Sequence, residues 1–272
     1  MLGKQFLIFQ GVTDTMLTLS NSDRKRLLTP IKKTILQYNM IEEGDRVAIG
    51  LSGGKDSSTL LSILTILREQ LPFHFELIPI TLSLGFEDMD MMPLKKFVNE
   101  LGHELYIKET NISQVVFDYK KEKNPCSLCA NLRRGTLFDY ATSLNCNKLA
   151  YGHHLDDGIE TFFMNLIYGG KLAVFKPKTY LDRANITLIR PMLAIEEKTI
   201  IHFVKAKNIP VIHNPCPADK HTKREEMKDL VKTLSASYPD LRQKFMSGAM
   251  NVQEADFWKI DHNDVGVVPS RE

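Results

Sequence analysis

The hydrophobic pattern along the chain alternates between two periods. From Arg24 to Asn39 the apolar positions Leu27, Leu28, Ile31, Ile35 and Leu36 recur at helical spacing and stop before Glu43-Gly44-Asp45, which predicts an N-terminal helix. Val47 to Leu51 is a short apolar run that predicts a strand, followed by a glycine-bearing turn and the helical pattern of Ser58 to Gln70. The rhythm continues with strand Leu77 to Leu82, helix Met92 to Leu101, strand Glu104 to Ile107, helix Arg134 to Leu144, strand Lys148 to Tyr151 and helix Ile159 to Tyr168. Apolar strands alternating with helices predict an α/β fold, a parallel doubly wound sheet covered on both faces. Leu188 to Arg190 reads as a further strand and Glu196 to Asn208 as a helix, before a proline-bearing segment from Ile209 to Pro217. Two more helices are expected between Arg224 and Asn251, broken near Pro239, and then a loose tail with Asp261, Asp264 and Pro269. The resulting division is an extension at residues 1–22, an α/β domain at 23–218, and a helical C-terminal extension with its tail at 219–272.

Composition narrows the class without choosing a function. The chain has 272 residues, 43% hydrophobic and 25% charged, as an ordinary globular protein has. Its apolar stretches, such as Leu60 to Leu67, are interrupted by Ser and Thr and fall short of the ~20 apolar residues a membrane span needs. No membrane helix is expected, and the start of the chain has no convincing secretory signal, so a cytoplasmic protein is expected. The net charge of +2 implies no strong overall pull on nucleic acid, yet the charge is uneven. Lys120, Lys121, Lys123, Arg133 and Arg134 form one basic run, and Lys171, Lys176, Lys178 and Arg183 another. Each run is either solvated surface or the footprint of a polyanion.

Ser52-Gly53-Gly54-Lys55-Asp56-Ser57, with Ser58 behind it, lies between a strand and a helix. There, backbone N–H groups and the positive helix end can cradle an anion, with Lys55 and the serines beside it. The spacing is not that of a Walker A loop. A second strand-to-helix junction carries Tyr151-Gly152-His153-His154-Leu155-Asp156-Asp157, at the carboxyl edge where open α/β sheets bind ligands. Its histidines and carboxylates suit either a metal site or a capped helix start.

The first motif resembles the pyrophosphate-binding loop of the N-type ATP pyrophosphatases, the PP-loop superfamily, whose fold is of the adenine nucleotide alpha hydrolase-like type. The resemblance implies ATP cleaved between its α and β phosphates, with AMP placed on a substrate oxygen. The second motif is similar to the signature that PP-loop tRNA-modifying enzymes set opposite that loop. On that likeness Gly152 lies against the nucleotide, Asp157 assists catalysis or holds Mg²⁺, and Asp56 is the other nearby carboxylate.

The four cysteines are Cys126, Cys129, Cys146 and Cys216. In an intracellular chain they point to metal or redox chemistry before disulfides. Cys126-Ser127-Leu128-Cys129 alone fits half a zinc site, a redox dithiol or two buried thiols. Cys216, between Pro215 and Pro217, could be presented by a rigid loop. Three cysteines suit an iron–sulfur cluster with one iron open, whereas zinc asks for a fourth ligand, which Cys146, His213 or His221 could provide. Cys146, beside a predicted strand, is expected to be buried as a small hydrophobe.

Pro125-Cys126-Ser127-Leu128-Cys129, Leu132-Arg133-Arg134-Gly135, Gly152-His153-His154-Leu155-Asp156-Asp157 and Pro215-Cys216-Pro217 together resemble the TtcA family, the tRNA 2-thiocytidine synthetases, over about residues 24–240. The resemblance implies a [4Fe–4S] cluster on Cys126, Cys129 and Cys216, and sulfur placed at C2 of a cytidine at tRNA position 32. It also implies ATP with Mg²⁺, tRNA as partner, and sulfide or a cysteine desulfurase as sulfur donor. Related uridine thiolases carry extra zinc-binding cysteine clusters that four cysteines cannot supply. The catalytic group expected on this basis is Asp56, Asp157, Cys126, Cys129 and Cys216, with Arg133 and Arg134 for RNA phosphates. The oligomeric state stays open, a homodimer included. The rival expectations are another PP-loop enzyme with structural zinc, a tRNA uridine thiolase or a carboxylate-adenylating amidotransferase, and a catalytically idle nucleotide- or RNA-binding module.

Overall fold

The computed structural model describes residues 18–86, 90–119, 125–212, 216 and 223–253. The expected tail from Asp261 onward, the N-terminal extension up to residue 17, Lys120, Lys121 and Lys123, and His213, Pro215, Pro217 and His221 lie outside them.

Ser20 opens the first helix with a reciprocal cap: its hydroxyl accepts from the Asp23 N–H, and the Asp23 carboxylate accepts from the Ser20 N–H. The helix runs through α1 (Asn21–Asp23), a π-helical turn (Arg24–Leu28) and α2 (Thr29–Gln37). The wide turn falls just before Pro30, whose missing N–H and bulky ring disturb the regular ladder.

Six strands follow: β1 (Asp45–Gly50), β2 (Phe75–Ser83), β3 (Tyr106–Glu109), β4 (Lys148–Ala150), β5 (Lys178–Leu181) and β6 (Ile186–Ile189). They pair in the order β3-β2-β1-β4-β6-β5, and every neighbour is parallel except the β5–β6 hairpin. Burial on both faces explains why β1 and β4 are apolar throughout their centres rather than alternating. On one face, Leu60, Leu61, Ile63, Leu64 and Leu67 of α3 (Lys55–Arg68) meet Leu27, Ile31 and Ile35 of the first helix, all wholly buried. On the other, Ala141, Leu137 and Phe138 of α6 (Pro125–Ser143) cover Ala48, Ile80, Leu149 and Leu188. These two cores make the sheet doubly wound, as the alternating pattern predicts.

Two elements depart from the sequence expectation. The edge strand β5 was not expected, because Lys-Thr-Tyr-Leu is too short and too polar to register; its partner β6 supplies the hydrogen bonds, and Asn185 turns the corner at φ 48°. Helix α6 starts at Pro125, nine residues before the expected Arg134, with proline at the first helical position where its absent N–H costs nothing. The Cys-x-x-Cys pair therefore occupies the first turn of a long helix. The remaining helices are α4 (Met92–Glu100), α5 (Ile112–Gln114, continued by a π-helical turn), α7 (Leu155–Gly169), α8 (Glu197–Ala206), α9 (Lys223–Ser237) and α10 (Leu241–Met250). Both α9 and α10 pack on α7. Among the described residues no helix is long and apolar enough to cross a membrane.

Sheet topology sets the site. The chain goes from β1 outward to β2 and β3, then returns to place β4 on the other side of β1. The loops leaving β1 and β4 thus diverge at their carboxyl ends, which opens a crevice at the switch point.

Candidate active site at the switch point

The loop after β1 is anchored before it turns. The Leu51 N–H donates to the Ile80 carbonyl at 2.8 Å, and the Thr81 hydroxyl donates to the Leu51 carbonyl at 2.7 Å. Gly53 has φ 77°, and a β-carbon there would stand 2.9 Å from Ile212, whose N–H donates to the Gly53 carbonyl at 2.9 Å. Gly54 enters α3 in an extended conformation, and no side chain caps the helix. The Ser57 hydroxyl instead braces the loop from behind, accepting from the Ser52 N–H and donating to the Gly54 carbonyl, each at 3.2 Å. Ser52 is exposed, Gly54, Lys55 and Asp56 are partly so, and Ser57 and Ser58 are buried. An uncapped helix N-terminus beside a lysine is a receptacle for an anion.

The loop after β4 lies directly on this one. A β-carbon on Gly152 would come within 2.9 to 3.0 Å of the Asp56 carbonyl group and the Ser57 nitrogen. Two residues on, His154 caps α7: its Nδ1 accepts from the Asp157 N–H at 3.4 Å, and the Asp157 carboxylate accepts from the His154 N–H at 3.0 Å. The buried His154 Nε2 stands 3.6 Å from Asp56 Oδ1 and 3.5 Å from Asp157 Oδ2, so two carboxylates from different loops meet at one imidazole. Asp56 Oδ1 is buried and accepts no hydrogen bond. An orphaned carboxylate oxygen near a second carboxylate is a donor set that fits a hard divalent cation.

His153 belongs to the wall rather than to this carboxylate pair. Its Nδ1 accepts from Arg190 Nε at 3.1 Å, and its ring stacks on Phe175 with centroids 5.0 Å apart. Burial pushes its pKa down to about 4, which keeps it a neutral acceptor.

A ring of ion pairs, invisible in the sequence, ties the C-terminal helices to the same place. Arg224 of α9 stands 3.3 Å from Asp157 and 4.0 Å from Glu160. Glu197 takes both Lys55 of the phosphate loop, at 3.0 Å, and Lys228 of α9, at 3.3 Å. Lys55 also holds Asp56 at 3.0 Å. Asp156 accepts from the Glu197 N–H at 2.7 Å and from Arg242 of α10 at 2.8 Å. Burial, with help from the Asp157 charge, raises Glu160 to about 7. Arg224 and Asp157 are 67 positions apart, and neither partner has a local pattern that announces the other.

The cysteines divide into three and one. Cys126 is exposed and Cys129 half-buried in the first turns of α6. Burial raises the Cys129 thiol, the charges of Cys216 and Cys126 push the same way, and Arg133 opposes them through its charge and a hydrogen bond. Cys216, 87 positions downstream, lies near enough to Cys129 for its charge to act on that thiol. It lies four residues past Ile212, the residue bonded to Gly53, so the chain cannot carry it more than ~14 Å from the phosphate loop's seal. Cys146 is buried in the second core, and burial raises its thiol to about 11. Among the described residues no three His, Cys, Asp or Glu side chains are drawn to metal-binding distance. Cys129, with Cys126 and Cys216 both within reach of its charge, is the point at which this structure fits a three-thiolate centre. Arg133 is half-buried beside Cys129 and Arg134 is exposed; both lie near enough to Tyr151 for their charges to act on its phenol.

The fold and this crevice define a PP-loop protein, and the family model described as the PP-loop domain matches residues 23–234. The tRNA-cytidine(32) 2-sulfurtransferase of Syntrophotalea carbinolica is 39% identical over 89% of this chain and 96% of its own length. That of Geotalea uraniireducens is 38% identical over 84% and 93%. The chain belongs to the tRNA-cytidine(32) 2-sulfurtransferase family. Among solved structures, the U34-tRNA thiolase NcsA from Methanococcus maripaludis, determined with its [4Fe–4S] cluster, superposes with TM-score 0.67 at 26% identity, covering 81% of this chain and 76% of NcsA.

Proposed function

We propose that this chain is an ATP-dependent tRNA sulfurtransferase that replaces the C2 oxygen of cytidine 32 with sulfur, in the cytoplasm. The observation that supports this reading most is the meeting, at one sheet edge, of an anion-binding loop and a carboxylate pair. The C2 oxygen attacks the α-phosphorus of ATP; the bond between the α and β phosphates breaks and pyrophosphate leaves. Sulfide sulfur then bonds to C2 as the C–O bond breaks and AMP departs.

Residues Ser52 to Ser58 hold the phosphates through the N-terminus of α3, with Lys55 as the nearby cation. Asp56 and Asp157 would hold Mg²⁺, and Gly152 lets the second loop approach the nucleotide. Cys126, Cys129 and Cys216 would hold a [4Fe–4S] cluster, which when bound supplies an open iron as a docking point for the sulfur. Arg133 offsets, through its charge and a hydrogen bond, part of the burial that raises the Cys129 thiol. The exposed Arg134, with Arg133 behind it, offers positive charge to the tRNA backbone, and the target base must be splayed out of the anticodon arm to enter. Sulfide or a cysteine desulfurase is the sulfur source.

The test is anaerobic incubation with ATP, a sulfide source and unmodified tRNA, following nucleotides and modified nucleosides by mass spectrometry. AMP, pyrophosphate and 2-thiocytidine are expected in equal amounts. Formation of ADP and phosphate would overturn the reading.

A further inference from the structure

We propose that Arg224, from the C-terminal helix α9, is a phosphate-binding residue of the nucleotide site, parked on Asp157 until the phosphates arrive. The proposal rests on the ATP reading above and adds a residue from outside both sequence motifs.

Its basis is the charge arrangement of the crevice. Asp56, Asp157, Glu160 and Glu197 crowd around the loop, and a triphosphate entering among four carboxylates would be repelled unless their charges were offset. The loop's own cation is already engaged, because Lys55 holds Asp56 and Glu197 at 3.0 Å each. Arg224 is differently placed. Its side chain is 44% exposed, it touches Asp157 at 3.3 Å through one nitrogen, and its second contact, to Glu160, is a long 4.0 Å. A guanidinium has five N–H donors, so these two contacts leave most of its fork for another acceptor.

The carboxylate it shares is the one that meets Asp56 across His154. Mg²⁺–ATP brings a cation and anions together, which allows a balanced exchange of partners. With Asp157 given over to the cation, Arg224 would turn to the phosphate oxygens, so that neither charge is left unpaired in a half-buried site. Arginine suits this role because its planar fork pairs with phosphate in two parallel bonds. Its backbone is fixed by α9, which packs on α7 and is tied to the loop through Lys228, Glu197 and Lys55.

The experiment compares Arg224→Gln and Arg224→Lys with the wild type by calorimetric titration with α,β-methylene-ATP and with AMP, both with Mg²⁺, on the full chain. Wild-type binding of the ATP analogue is measured first, and failure there would refute the ATP reading itself. Given that binding, R224Q should lose about tenfold to a hundredfold in affinity for the ATP analogue and keep that for AMP within twofold. R224K, which keeps the charge without the fork, should fall between, and should show the same preference if R224Q fails to fold. Equal losses for both ligands, or no loss for the ATP analogue in either variant, would make Arg224 a structural tie of α9 and overturn the proposal.

Discussion

Substituting Gly152 by alanine tests whether the two loops must touch for the chemistry to proceed. The added methyl carbon would lie 2.9 Å from the Asp56 carbonyl carbon and 3.0 Å from both its oxygen and the Ser57 nitrogen. All three are backbone atoms of the first turn of α3, so no side chain can swing away to make room. Normal contact requires the loops to part by several tenths of an ångström, and overpacking of this kind costs about 1–3 kcal/mol. The same shift separates Asp56 from Asp157, and displacements approaching 1 Å at reacting groups cost about a hundredfold in rate. We expect G152A to lower pyrophosphate release by at least about tenfold and the unfolding free energy from urea titration by the matching 1–3 kcal/mol. Gly158→Ala is the internal control: it lies one turn into α7, and its methyl group would meet only side-chain carbons at 3.7 to 3.8 Å. It should leave stability unchanged or raise it by up to about 1 kcal/mol through helix propensity. Wild-type pyrophosphate release and stability in G152A, or equal losses in both variants, would refute the reasoning.

The remaining predictions concern pH, the cysteines and RNA. His103 is held near pKa 4 by burial, with Nε2 2.8 Å from the Thr65 hydroxyl, so between pH 4 and 6.5 the unfolded chain binds a proton that the folded chain refuses. Stability should therefore fall as pH drops through that window, by on the order of 1–2 kcal/mol once the residue's partial exposure is discounted, and H103Q should flatten the slope in denaturation at pH 4.5 and 7. Cys126→Ala, Cys129→Ala and Cys216→Ala should each abolish the iron content and the absorbance near ~400 nm of the anaerobically reconstituted protein, while Cys146→Ala keeps both and loses about 1 kcal/mol of stability; a colourless wild type would contradict this. Replacing Arg133 and Arg134 together should reduce the slope of log affinity for tRNA against log salt by roughly one per lost phosphate contact, and an unchanged slope would exclude contact with the backbone.

What could be read from the sequence was what local periodicity and turn chemistry encode. The parallel, doubly wound class followed from apolar strands alternating with amphipathic helices, since a strand buried on both faces must be apolar throughout. Ser52 to Ser57 and Gly152 to Asp157 stood out because each is a contiguous string at a strand-to-helix junction, and contiguity is what a linear reading detects. The early start of α6 was missed although Pro125 is a proper first-turn residue; its weakly amphipathic face gave no periodic signal until Arg134. Strand β5 was missed because an antiparallel edge strand of four residues draws its identity from its partner.

Tertiary structure alone decided which distant groups share the crevice. It brought Asp56 and Asp157 to one histidine, set Cys216 within electrostatic reach of Cys129, and turned Arg133 onto Cys129. It also set Arg224 on Asp157 and Lys228 on the glutamate that holds Lys55. A charged residue in a polar helix such as α9 has many sequence positions that would serve as partners. Only the reversal of strand order between β1 and β4, which opens the crevice, and the packing of α9 on α7, which closes one side of it, select among them.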